Sequence, residues 1–169
     1  MAIKNITKDM LYPATFTNTE VISKAAGTPA TVSLVAGQYT PIGEYTVKAD
    51  EAIGLGRGAF ASMNEAIGRL YAAFYDSETT PGAINVGKLR IMLLSSQDMP
   101  IGSKPVFLDV DLAALTSGAS IPADRFVLPF DGTLLTQDKK IQFLIKSPTA
   151  KTLSRANSTV LMDITRAMQ

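Results

Sequence analysis

Gly54-Leu55-Gly56-Arg57-Gly58-Ala59 has the spacing G-x-G-x-x-A, with which a strand-to-helix turn brings backbone N–H groups against a dinucleotide pyrophosphate. That chemistry needs a continuous apolar parallel strand ahead of the glycines, and Lys48-Ala49-Asp50-Glu51-Ala52-Ile53 interrupts any such run with two adjacent acids. No alternation of strands and helices follows, so these glycines read as a tight bend or a place of close subunit approach. Asp109 and Asp111 lie two apart in a strand-like segment, so both carboxylates share a face and could hold a divalent cation with a third acid. No Asp/Asn-rich calcium loop accompanies them, and the pair reads as the wet side of a strand. Ser95-Ser96, Ser103-Lys104 and Ser154-Arg155 offer hydroxyls beside other polar groups, but no G-x-S-x-G elbow is present and they read as loop or strand-end residues.

Composition narrows the chemistry further. The 169 residues include no Cys, no His and no Trp, which removes thiolate and imidazole ligands, disulfides, thiol nucleophiles and the commonest general base. No catalytic residue, cofactor or metal site is expected, and the chain is read as not an enzyme. A formal net charge of +1, with Lys and Arg scattered rather than grouped in an arm or stripe, argues against direct contact with nucleic acid. Apolar residues make up 46% against 18% charged, yet no apolar run approaches the roughly 18 residues of a membrane helix. Met1 to Met10 shows no export or organelle signal, and the expectation is a protein soluble before assembly.

These residues must be positioned by strands. Leu89, Ile91 and Leu93 alternate with Lys88 and Arg90; Val106, Leu108, Val110 and Leu112 alternate with Asp109 and Asp111; Ile141, Phe143 and Ile145, then Val160, Met162 and Ile164, repeat the period. Further strands are expected at Tyr12 to Thr17, Glu20 to Lys24, Thr31 to Val35, Tyr45 to Ala49, Leu70 to Tyr75 and Arg125 to Phe130, with Gly, Pro, Asn or Asp between them. The spacing of Met63, Ile67, Leu70 and Phe74 predicts one short helix near residues 60–74, and a one-turn helix fits Leu112 to Leu115. The fold class expected is mainly β: an antiparallel β-sandwich, a jelly roll of about eight strands, forming a single domain over residues 1–169 with an extended N-terminal arm over about 1–17.

The strand pattern of Lys88 to Gln97, Lys104 to Leu115, Arg125 to Pro148 and Thr159 to Ala167 resembles the single jelly-roll capsid proteins of icosahedral viruses. Lacking a basic arm, the chain departs from small RNA-virus coat proteins and is more similar to the small capsid proteins of double-stranded DNA viruses with an internal membrane. The resemblance implies a shell-forming role in the virion, with copies of itself and other capsid proteins as partners. Thr28 to Glu44 also suggests the trimeric head-decoration proteins of tailed phages. A carbohydrate-binding β-sandwich is the competing class, with Tyr71, Phe74 and Tyr75 as its aromatics and no Trp to stack on sugars. In the arm, Ile3, Ile6, Leu11, Tyr12 and Phe16 are more apolar than a free tail should be, which makes them candidates for subunit contact.

Overall fold

The computed structural model describes residues 14–20, 30–49, 51–55, 69–101, 105–115, 126–127 and 133–168. Its strands are β1 (Ala14–Glu20), β2 (Thr31–Leu34), β3 (Tyr39–Thr46), β4 (Glu51–Leu55), β5 (Arg69–Ala73), β6 (Lys88–Leu94) and β7 (Val106–Asp111). After a helix of one turn, α1 (Leu112–Leu115), come β8 (Phe126–Val127), β9 (Thr133–Leu135), β10 (Lys140–Lys146), β11 (Lys151–Ser154) and β12 (Thr159–Met168). Every pairing between them is antiparallel.

One sheet runs β3-β10-β6-β7. The other is organised by β12. Leu161 and Met162 face β1 and β5 at once, while Thr165 and Arg166 face β1 and β4 at once. A strand has only two edges, so β4 and β5 follow one another along the edge opposite β1. Beyond them β9 pairs with β4 and β8 with β5.

Counting β4 with β5 and β8 with β9 as single strands leaves eight in chain order, apart from the β2·β11 ribbon. The first then pairs with the eighth, the second with the seventh, the third with the sixth and the fourth with the fifth. That nesting is one long antiparallel hairpin rolled into two sheets, ordered 1-8-3-6 and 2-7-4-5. It is the jelly roll.

The inner faces follow from period-2 alternation. Leu89, Ile91 and Leu93 on β6 and Ile141, Phe143 and Ile145 on β10 are all buried, and they join Ile53, Leu70, Ala72, Leu135 and Val160 of the other sheet in one core. Each of these side chains other than that of Ala72 contributes roughly 1.5–3 kcal/mol by leaving water. At one end α1 buries Leu112 and Leu115 in the same core, with the Leu112 N–H bonded to the Gly87 carbonyl at 2.9 Å.

Three expectations are corrected. Residues 69–73, where the helical span overlaps the strand expected at Leu70 to Tyr75, form β5: Leu70 and Ala72 are buried and face Met162 and Val160, so cross-strand pairing overrides the four-three-four spacing. The rest of that helical span, up to residue 68, lies outside the described residues. Pro41 and Gly43, which lie between the strands expected at Thr31 to Val35 and Tyr45 to Ala49, fall inside β3, the outermost strand of its sheet, where a proline is tolerated and the extra residue Ile42 forms a bulge. On β7, Phe107 is extra between the pairs Ile91–Leu108 and Met92–Val106, which leaves Val106 exposed and breaks the four-aliphatic face expected from the sequence.

Gly87 is where the sheet tolerates no side chain. Its φ is +127°, and a Cβ there would lie 2.1 Å from the Lys146 carbonyl oxygen, a backbone atom that cannot yield. Replacing Gly87 with alanine is expected to cost at least about 2 kcal/mol of stability in chemical denaturation; an unchanged midpoint would show that the backbone approach is looser than described.

Candidate interaction surfaces

The outward face of the β3-β10-β6-β7 sheet carries the charges that alternate with the core. Arg90 stands across from Asp109 on β7 and Leu144 on β10. The Asp109 carboxylate accepts hydrogen bonds from Arg90 Nε at 3.0 Å and Nη2 at 2.5 Å, and from the Tyr39 hydroxyl at 2.8 Å. The same guanidinium lies 3.8 Å from the centroid of the Tyr39 ring, a cation–π stack that joins β3 to β6 across β10. Burial pushes Asp109 upward, but the bonds from Arg90 and Tyr39 outweigh it and hold the carboxyl below the usual aspartate range. Burial and the neighbouring Asp109 raise the Tyr39 phenol.

Asp111 does point to the same side as Asp109, as the spacing requires, and Lys88 approaches it at 3.9 Å. Each carboxylate of the pair is therefore answered by a cation on β6. At the far end of this sheet Lys140 donates to Asp98 at 2.7 Å and lies 3.8 Å from Glu44, tying a turn to β3. Charges on this face are spent on one another.

The end where β3 and β6 begin is built up by a third, smaller sheet. β2 pairs with β11, and β11 is continued on its other side by residues 75–77: Ser154 N donates to Tyr75 O at 2.9 Å and Ser77 N to Thr152 O at 2.8 Å. Residues 74–84 then turn back on themselves, with Ile84 N bonded to Phe74 O at 2.8 Å and Asp76 N to Gly82 O at 2.9 Å. Asp76, only 4% exposed, latches this turn: its Oδ1 accepts the Gly82 N–H at 2.7 Å and its Oδ2 lies 3.5 Å from Lys151 Nζ. The Gly82 N–H is the main reason the Asp76 carboxyl sits below its ordinary range, with Lys151 adding to it against the effect of burial. Two open grooves flank the latch, one of about 410 Å³ beside Tyr75, Pro81 and Asn157, and one of about 330 Å³ beside Ile84, Val86, Pro148 and Lys151.

Other residues singled out by sequence find structural work. Gly54 lies in antiparallel β4, across from Thr165 and Leu134, which is incompatible with a parallel dinucleotide-binding unit; Gly56, Gly58 and Ala59 lie outside the described residues. Ser95 Oγ accepts the N–H groups of Gln97 and Met99 at 3.3 and 3.2 Å, closing a turn, and Ser154 belongs to β11. Ser103 and Lys104 are outside the described residues. Phe74 is 1% exposed and belongs to the core, so it cannot serve in a sugar-stacking platform with Tyr71 and Tyr75. Of the proposed contact residues, Ile3, Ile6, Leu11 and Tyr12 lie outside the described residues, and Phe16 is in β1 across from Ile164. The Tyr39–Arg90–Asp109 cluster and the Asp76 latch were not legible, because each joins residues brought together only by strand register or by a loop returning on itself.

No family model and no curated protein matches this chain. Among solved structures it is similar to VP17, a capsid protein of bacteriophage P23-77, with 6% identity and a TM-score of 0.49 over 83% of this chain and 94% of that one. The jelly-roll assignment stands on the strand pairing described above.

Asp76 and Asp109 have folded-state pKa values below those of the unfolded chain, so the unfolded chain takes up protons first as the pH falls. Their contribution is fully present above the ordinary aspartate value of about 4 and is lost as the pH drops through the lowered folded values. The thermal midpoint is expected to fall between about pH 5 and pH 2, and the double variant Asp76→Asn, Asp109→Asn should start lower at neutral pH and fall less steeply. Parallel curves for parent and variant would remove these two carboxylates from the account.

Proposed function

We propose that this chain is a structural, shell-building capsid subunit of a virion: a single-domain protein that works by packing against copies of itself and against other capsid proteins. The observation that carries this reading is where the apolar surface lies. Among the residues whose side chains are described, the large exposed apolar ones are Val35, Val86, Met99 and Val106, and all four sit at strand ends or in the turns beyond them. The broad outer face of the β3-β10-β6-β7 sheet is instead finished with paired charges. A tile with one face closed by paired charges and with apolar ends suits lateral packing through loops.

The outermost strands support the same mode of contact. β1 is irregular between Phe16 and Thr19, β3 has Pro41 and the Ile42 bulge, and β7 has the Phe107 bulge. Interrupted edges resist continuation of a sheet into a neighbouring molecule, so copies meet by loops and side chains rather than by added strands. With no His or Cys and with Asp109, Asp111 and Asp76 each held by a cation or backbone N–H, the chemistry of the chain is that of assembly. Among the described residues no helix is long and apolar enough to cross a membrane. The balanced charge also favours contact with protein over nucleic acid.

The apolar residues ahead of β1, Ile3, Ile6, Leu11 and Tyr12, are assigned in this proposal to clamping a neighbour, together with Phe16. Light scattering and negative-stain microscopy over a range of concentration and salt should show sheets, rings or shells for the full chain. Deletion of Met1 to Met10 should abolish these while leaving the strand signal in circular dichroism unchanged. Discrete trimers would shift the assignment to surface decoration of a head, and a monomer under every condition would overturn it.

A further inference from the structure

The strands that flank β12 are interrupted in one row. Ile53 and Leu70 are seventeen residues apart, yet they face Arg166 and Met162, which are four apart on uninterrupted β12. The excess of thirteen residues is the length of segment 56–68. One strand further out, Phe126 and Leu135 are nine apart and face Leu70 and Ile53. Their excess of five residues is the length of segment 128–132. On the other side of β12, β1 carries one extra residue between the pairs Phe16–Ile164 and Thr19–Met162. All three irregularities straddle Asp163.

The pleat is kept in step across each interruption. Ile53, Leu70 and Leu135 all face the core, at 0%, 0% and 1% exposure. Joining Leu55 directly to Arg69 would put Leu55 across from Ile164 and Arg69 across from Asp163, leaving four steps between Ile53 and Leu70. An even number of steps returns both to the same face. Joining Val127 to Thr133 likewise leaves four steps between Phe126 and Leu135, opposite the same stretch. A segment whose residues supplied rungs of the ladder would not leave its two flanks in adjacent register and in phase.

We propose that residues 56–68 and 128–132 are in-phase insertions on a complete eight-strand frame, and that the frame folds without their side chains. This rests on strand register alone and is independent of the capsid reading.

Three variants of the full chain test it. In the first, segment 56–68 is replaced by Gly and Ser at equal length; in the second, 56–68 is deleted; in the third, 57–68 is deleted, which leaves one residue over and puts the pleat out of step. The Gly/Ser variant should unfold cooperatively with a thermal midpoint within about 10 °C of the parent. The in-phase deletion should have a clearly higher midpoint than the out-of-phase deletion, although it is the shorter chain. Loss of cooperative unfolding in the Gly/Ser variant would overturn the proposal. So would an in-phase deletion no more stable than the out-of-phase one.

Discussion

Everything in this molecule depends on β12 having both of its edges occupied along its length. One edge takes β1, from near the start of the chain, and the other takes β4 and β5 from its first half. No local turn can set such pairings. They form only when the ends of a long rolled hairpin meet, at a considerable cost in loop-closure entropy. What offsets that cost is burial between the two sheets, where β6 and β10 present Leu89, Ile91, Phe143 and Ile145 to Ile53, Leu70 and Val160.

The outer face of the β3-β10-β6-β7 sheet and the strand ends are finished differently. The outward face of the β3-β10-β6-β7 sheet is closed by the Tyr39–Arg90–Asp109 cluster and by Lys88–Asp111, with the guanidinium both stacked and hydrogen-bonded. Individually these exposed pairs stabilise the fold only modestly, but together they leave little unpaired charge for an outside partner. The strand ends are less complete. They carry the exposed apolar side chains and, at one end, the small sheet latched by Asp76.

The sandwich was legible from sequence wherever apolar and polar residues alternate cleanly, as in β6, β10 and the first half of β12, and the one-turn helix at Leu112 to Leu115 was legible as well. Three kinds of feature escaped. β4 was hidden because Asp50 precedes it, Glu51 opens it and Gly54 lies within it, and β9 and β11 are too short for a period to register. Residues 60–74 carry helical spacing while Leu70 to Tyr75 also reads as a strand, and it is pairing with β12 that decides between them in favour of β5. The Arg90–Asp109 pair could have been guessed from two charged strand faces. Tyr39 could not, since nothing in sequence places β3 beside β10 in that register.

The absence of cysteine makes the central claim directly testable. Thr15 and Thr165 are paired across β1 and β12, where opposed Cα atoms lie about 4.5–5.5 Å apart, within reach of a disulfide. In the double variant Thr15→Cys, Thr165→Cys, mild oxidation should form a cross-link within one chain, seen as a faster-migrating monomer on a non-reducing gel that neither single variant gives. Failure to cross-link, or dimers alone, would mean that the first and last strands of this chain do not close the jelly roll on each other.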